Sequence, residues 1–154
     1  MHRRTVLTGA ATALALMTGP AIAQQSDTDK VKAALDAFSA ALSSRDLGKM
    51  EAVWAPDANA MLINPRDKSP TVGWDAIKKK WEGVFGAWSE LKVTRTGETI
   101  RVSGNIAWMT GTADVGGKMS DGTASSFATL WSDVFEKRGD KWLMVSHSAW
   151  RVPQ

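Results

Sequence analysis

The sequence predicts a single α+β domain in which helices pack on a mostly antiparallel sheet. Three stretches with apolar residues at helical spacing lie between about residue 29 and residue 88. Four strand-like stretches, joined by turn residues, follow from residue 91 to the C-terminus. Helices followed by a run of strands are typical of α+β domains, in which the helices cover one face of the sheet.

The first 23 residues have the composition of a secretory signal peptide. Arg3 and Arg4 precede an apolar run over 6–17, and small residues at 21–23 provide a cleavage site before Gln24. The adjacent arginines also resemble a twin-arginine signal. We therefore expect a periplasmic or secreted protein with no membrane attachment after cleavage. An uncleaved anchor is the alternative, which the threonines, glycines and proline of this segment disfavour.

Residues 24–154 have the length of one ordinary domain. The whole chain has 19 basic and 16 acidic residues, and two of the basic ones belong to the signal peptide, so this domain is nearly neutral and a nucleic acid partner is not indicated. The absence of cysteine excludes disulfides, thiolate metal sites and cysteine nucleophiles. One histidine with scattered carboxylates forms no metal-binding set, so we expect neither a metal nor a cofactor.

The apolar pattern predicts two helices and a strand at the start of the domain. The first helix covers 29–42, with Ser26 or Asp27 as its N-terminal cap. A shorter helix is predicted over 46–54, ended by the following proline, and a strand over 58–64. The apolar face of the first helix consists of Val31, Ala34, Leu35, Phe38, Ala41 and Leu42.

A third helix begins after Gly73 and a proline-containing loop. The lysine run 78–80 lies mostly outside its apolar stripe and has two interpretations. It can form a solvated outer face, which is the commoner role of such a run, or attract an acidic ligand. The stripe itself consists of Trp74, Ile77, Trp81, Val84, Phe85 and Trp88.

Four long strands are predicted over 92–102, 106–115, 124–137 and 141–152. We interpret the Arg-Gly-Asp triplet at 138–140 as a turn and not as an adhesion motif. The other connections are Gly104-Asn105 and a loop containing Gly116, Gly117, Asp121 and Gly122.

The third of these strands is apolar on both faces, which is unusual for a sheet with one face in water. One phase contains Phe127, Trp131 and Phe135, and the other contains Ala128, Leu130 and Val134. We expect the face away from the helices to contact a second copy of the chain, and we assign Phe127, Trp131 and Phe135 to that homodimer interface. The alternative is a terminal segment folded over this face.

The order of these elements resembles the SnoaL-like and nuclear transport factor 2-like superfamily, which includes ketosteroid isomerase. The resemblance rests on the opening helix, the segment 50–58, the entry to the third helix at 73–77 and the hairpin at 139–145. It implies a cone-shaped α+β fold for residues 24–154, in which a curved sheet encloses a pocket against three N-terminal helices. This fold hosts enzymes, binding proteins and assembly modules, so it does not fix the chemistry.

The resemblance allows a comparison with the chemistry of ketosteroid isomerase. That enzyme uses an aspartate base and an oxyanion pair of tyrosine and protonated aspartate, whereas this chain has no tyrosine. An approximate alignment places Phe38 at the tyrosine, Asn64 at the base and Leu130 at the oxyanion aspartate. An amide cannot abstract a carbon-bound proton and leucine cannot donate a hydrogen bond, so this isomerase mechanism is not expected.

His147, in the last predicted strand, is the candidate acid or base. The alignment points it into the pocket together with Val145, in the strand phase that also contains Leu143. Histidine exchanges protons near neutral pH, although a histidine hydrogen-bonded within a mixed core is the commoner case. Ser146 and Ser148 point to the opposite face and so cannot form a nucleophile and base pair with it.

We therefore expect an exported homodimer whose cone binds a small, largely apolar molecule, with isomerase, cyclase or dehydratase-type chemistry left open. Two of the eight tryptophans are candidates for the pocket wall, although core packing is the commoner role. The alternative is a non-catalytic interaction or assembly module whose cone is filled by aromatic residues. The candidate ligand-binding residues are Phe38, Trp54, Asn64, Trp81, Leu130 and Val145.

Overall fold

The computed structural model describes residues 19–153, with the surroundings of side chains from residue 27 onward. The predicted signal peptide lies outside the described residues as far as residue 18. The helices are α1 (Gly19–Ser44), α2 (Leu47–Val53) and α3 (Trp74–Ala87), and the strands are β1 (Met61–Ile63), β2 (Thr71–Val72), β3 (Trp88–Ser103), β4 (Ile106–Met119), β5 (Ala124–Arg138) and β6 (Lys141–Arg151).

The α+β prediction is confirmed, with one six-stranded sheet in the order β2-β1-β6-β5-β4-β3. Only β1 and β6 pair in parallel; the other neighbours are antiparallel. The three helices precede the four long strands, but the short strands β1 and β2 lie between α2 and α3, and β2 was not predicted. No helix within residues 19–153 combines the length and the apolar content that a membrane span requires.

The N-terminal cap predicted for the first helix is wrong. Ser26 and Asp27 lie inside α1, which begins at Gly19. The carboxylate of Asp27 instead accepts a hydrogen bond of 2.9 Å from the Lys137 ammonium on β5. In contrast, α2 has a side-chain cap that was not predicted, because the Asp46 side chain accepts a 3.0 Å hydrogen bond from the backbone N–H of Lys49.

The stripe of α3 is buried at Trp74, Ile77, Trp81 and Phe85, but Trp88 is already the first residue of β3. Gly116 and Gly117 also differ from the prediction, because they belong to β4 and not to a loop. A Cβ at Gly117 would lie 2.0 Å from the Glu90 carbonyl oxygen on β3, so glycine is required where the two strands come this close.

The residues assigned to the homodimer interface lie on the wrong face for that role. Trp131 and Phe135 are 5% and 0% exposed and pack beneath the helices. The side chains alternate between the two faces as predicted, but both sets are apolar, so the pattern does not show which set faces the helices. The outer face carries Leu130, Trp108 and Trp150, which are 54%, 45% and 49% exposed.

Candidate functional site

A cavity of about 260 Å³ lies between the helices and the inner face of the sheet. Residues of α1, α3 and the strands β3 to β6 line it, together with the segment 64–67 that follows β1. Most of its wall is apolar. Such a cavity suits a small molecule with a large apolar surface, held in orientation by a few polar groups. The largest apolar side chains on the wall are Phe38, Trp81, Trp88, Met119, Phe127 and Trp131.

The cavity wall contains a buried pair formed by His147 and Asp133. These residues lie directly opposite each other on β6 and β5, and the His147 Nδ1 to Asp133 Oδ1 distance is 2.6 Å. Their exposures are 7% and 1%. Because a carboxylate oxygen accepts hydrogen bonds, we assign the hydrogen of this bond to Nδ1, which donates it to Asp133. The other ring nitrogen, Nε2, makes no hydrogen bond to any described residue and therefore keeps a lone pair available.

A β-bulge in β6 gives His147 its inward direction. Phe135 pairs with Met144, but the preceding residue Val134 pairs with Ser146, so Val145 has no partner on β5. The extra residue reverses the alternation of the strand. Consequently Met144 is buried on one side of the bulge and His147 on the other, both on the inner face.

Two aromatic side chains hold the imidazole in place. The ring centroid of His147 lies 4.9 Å from that of Phe38 on α1 and 6.2 Å from that of Trp81 on α3. Together with the Asp133 hydrogen bond, these contacts restrict both side-chain torsions of His147, χ1 and χ2. The imidazole is therefore held in one orientation by the protein itself.

Asn64 begins the turn that follows β1, next to the strand that carries His147. Leu62 of β1 pairs with His147 in parallel register. The turn is closed by the Asn64 backbone N–H donating to Asp67 Oδ2 and the Asp67 N–H donating to the Asn64 carbonyl, both at 2.9 Å. The buried Asn64 Nδ2 has no hydrogen-bond partner among the described residues. A buried polar group of this kind is costly unless a ligand or water satisfies it.

The predicted site residues fall into two groups. Phe38, Asn64, Trp81 and His147 line the cavity. Trp54 does not, since it is buried elsewhere and stacks on Trp74 with ring centroids 6.1 Å apart.

Placing Leu130 and Val145 in the pocket is wrong. Leu130 is on the outer face of β5, and Val145 is the bulge residue, which does not line the cavity. Leu143 and His147 were expected on the same face of the strand. They lie on opposite faces, because the bulge at Val145 lies between them.

Asp133 is the candidate that the sequence pattern did not reveal. The feature that could have identified it is the position of a carboxylate in the same strand phase as Trp131 and Phe135. A single charge in such an apolar phase is buried only if it is paired. Within residues 27–153, no three histidine, aspartate or glutamate side chains converge in a way that could hold a metal ion.

Comparison with known proteins identifies the relatives of the chain. The sequence matches the family model of the SnoaL-like domain over residues 31–150. No curated protein sequence matches it.

Solved structures are similar over most of the chain. A provisionally named dehydratase of the nuclear transport factor 2-like family from Streptomyces avermitilis is 18% identical with a TM-score of 0.78, over 84% of this chain and 99% of that one. A provisionally named calcium/calmodulin-dependent protein kinase type II association domain from Thiobacillus denitrificans is 31% identical with a TM-score of 0.66, over 79% and 94%. A provisionally named scytalone dehydratase from Novosphingobium aromaticivorans is 12% identical with a TM-score of 0.77, over 86% and 89%. The likeness to the two dehydratases is one of fold.

Proposed function

The chain belongs to the SnoaL-like domain family, as its motifs predicted, and from that membership we propose that its cavity binds a small, largely apolar molecule and transforms it by acid–base chemistry. One observation carries this proposal: the hydrogen-bonded pair of Asp133 and His147 opens on an apolar cavity. Burying a carboxylate is costly, and such groups cluster at functional sites.

The proposed reaction begins with proton abstraction from carbon. His147 Nε2 takes a proton from a carbon next to a carbonyl or a leaving group, and the electron pair moves toward the oxygen or expels the leaving group. Asp133 stabilises the imidazolium that forms. The proton then passes from Nε2 to the product or to the leaving group. Isomerisation, cyclisation and dehydration all share this first step.

Asn64 is proposed to hold the substrate oxygen. Its Nδ2 is a buried donor with no partner in the part of the chain that the structure describes, and Asn64 follows the strand that pairs with β6 beside His147. An amide N–H directed at an oxygen that gains negative charge lowers the barrier to proton abstraction. Two structures with the same fold carry the name dehydratase, which agrees with the proposed reaction class.

Proton abstraction can be tested without knowing the natural substrate. The probe is β-tetralone, a bicyclic ketone, and the measurement is the rate at which its α-protons exchange for deuterium in D₂O, followed by NMR. The wild-type protein is expected to exceed the buffer rate, and His147→Ala to lose about 10²-fold to 10⁴-fold of the enhancement. A His147→Ala protein that folds and keeps the enhancement would contradict the assignment.

A non-catalytic assembly module is the second candidate, favoured by the 31% identity to a protein named as an association domain. The cavity argues against the version of this hypothesis in which aromatic residues fill the cone. Titration with β-tetralone, read by NMR of the indole N–H groups, separates the candidates. Shifts of Trp81 and Trp131, which line the cavity, favour binding, and an unchanged spectrum favours the module.

We also propose that the mature protein is an exported homodimer, formed through the outer face of the sheet. Four apolar side chains cluster there, since Leu130 pairs with Trp150 and Trp108 with Val134 across neighbouring strands. Leu130→Glu is expected to convert a dimer into a monomer in light scattering. A wild-type monomer at micromolar concentration would contradict the dimer, and a periplasmic protein that retains its first 23 residues by mass would contradict the cleavage.

A further inference from the structure

The turn 64–67 and Lys80 on α3 line one part of the cavity wall. Arg66 is exposed, so the wall reaches solvent at this turn, which we call the mouth of the cavity. The buried pair of His147 and Asp133, which we call the dyad, lies on the wall of the same cavity. The charged side chains of the cavity wall therefore differ in solvation, since Arg66 is exposed and Lys80 partly so, whereas Asp67, Arg95 and the pair of His147 and Asp133 are largely buried.

The cations on the cavity wall differ in whether their charge is compensated. Lys80 Nζ lies 2.6 Å from Asp67 Oδ1, and the side chain of Asp67 is only 8% exposed. Arg95, on β3, forms ion pairs with Asp36 and with Glu98. Both charges are thus balanced by neighbouring carboxylates, although the buried Nη1 of Arg95 makes no hydrogen bond within residues 27–153.

Arg66 is different, because its guanidinium forms no ion pair or hydrogen bond with any residue of the range 27–153. The pair of Lys80 and Asp67 fixes the turn that carries it, and Asp67 also accepts the Asn64 backbone N–H. A guanidinium with its donors free at the edge of an apolar cavity is suited to a planar anion such as a carboxylate.

We infer that the ligand is a small amphipathic carboxylic acid, whose carboxylate binds Arg66 at the mouth while its apolar part enters the cavity. The inference deepens the proposed function and rests on it for the use of the cavity. Asp133 supports the orientation, because its buried carboxylate repels an anion from the dyad and admits the uncharged end of the ligand. The carbon that reacts at His147 is then separated from the acid group.

The test compares octanoate with octanamide, which have similar shape but differ in charge. Neither absorbs where tryptophan does, so binding is followed by the fluorescence of the indoles on the cavity wall, Trp81, Trp88 and Trp131. Octanoate is expected to bind about fivefold more tightly, the upper end for a solvent-exposed ion pair. The difference should decrease as salt is added.

Arg66→Gln is expected to abolish the preference, so that the variant binds octanoate and octanamide with equal affinity. Arg101→Gln is the matched control, since Arg101 is an exposed arginine on β3 that does not line the cavity, and it should keep the preference. Equal binding of the two probes by the wild type would overturn the acid assignment and leave the binding cavity intact. A full preference in Arg66→Gln would overturn the role of Arg66. Binding of neither probe would overturn the cavity proposal, and this inference with it.

Discussion

Replacing Asp133 by asparagine removes the charge that fixes the tautomer of His147 while nearly conserving shape. The 2.6 Å hydrogen bond is made to a carboxylate that is 1% exposed. A hydrogen bond to a charged group contributes about 1.5–3 kcal/mol, which corresponds to a bias of roughly 12-fold to 160-fold toward the Nδ1–H tautomer. The neutral amide can donate or accept, so it bonds either tautomer and the bias is lost.

The tautomer can be observed without a substrate. Once the first 23 residues are absent, His147 is the only histidine of the chain, so its ¹⁵N signals need no assignment. At mildly alkaline pH the wild type is expected to show a protonated Nδ1 and a lone pair on Nε2. Asp133→Asn is expected to show a mixture of tautomers, and Asp114→Asn, an exposed carboxylate on β4, serves as the control with an unchanged spectrum.

The same variant separates catalysis from stability. Exchange of the β-tetralone α-protons is expected to fall at least about 10²-fold in Asp133→Asn. The free energy of unfolding is expected to change little, because the lost charge-assisted hydrogen bond is offset by the lower cost of burying an amide than a carboxylate. A wild-type imidazole protonated on Nε2, or a variant that keeps both the tautomer and the exchange rate, would refute the assignment of Asp133 as the group that orients the base.

Two further predictions concern the stability of the fold around the site. Arg138, which donates hydrogen bonds to the carboxylate of Asp57, lowers the pKa of that carboxyl, so the pair stabilises the fold above the ordinary aspartate pKa and the effect is lost as pH falls through the lowered value. Asp57→Asn should therefore have a lower urea midpoint than wild type at neutral pH, with the gap closing in acid; a gap independent of pH would contradict this. A Cβ at Gly111 would lie 2.7 Å from Cζ2 of Trp131, so Gly111→Ala is expected to lower the free energy of unfolding by about 1–3 kcal/mol and to weaken probe binding as the indole moves. Gly83→Ala on α3 meets no atom within 4 Å and should not destabilise, so equal effects of the two substitutions would refute the steric argument.

Local patterns predicted most of the fold because each element buries one stripe. The stripe of α3 is an example, since Trp74, Ile77 and Trp81 are all buried as their spacing indicates. The apolar pattern did not identify the inner face of a strand when both faces are apolar. On β5 both phases are apolar, so the choice between Trp131 and Leu130 as the inner residue depends on tertiary packing, which periodicity does not contain.

The candidate site was harder to predict because it depends on one irregular residue. Across the β5–β6 turn Arg138 pairs with Lys141, and that register continued without change would place Asp133 opposite Ser146. His147 would then face away from the helices.

The bulge at Val145 shifts the pairing by one residue and places His147 opposite Asp133 on the inner face. A sequence pattern can show that both residues are polar members of an apolar hairpin, but it contains no signal for the bulge. The requirement that a buried carboxylate have a partner supplies the missing information. Among the residues that β6 can place opposite Asp133, only the imidazole both hydrogen-bonds a carboxylate and becomes charged beside it. Pairing of buried ionisable groups thus identifies the register and the cavity face together, where hydrophobic periodicity identifies neither.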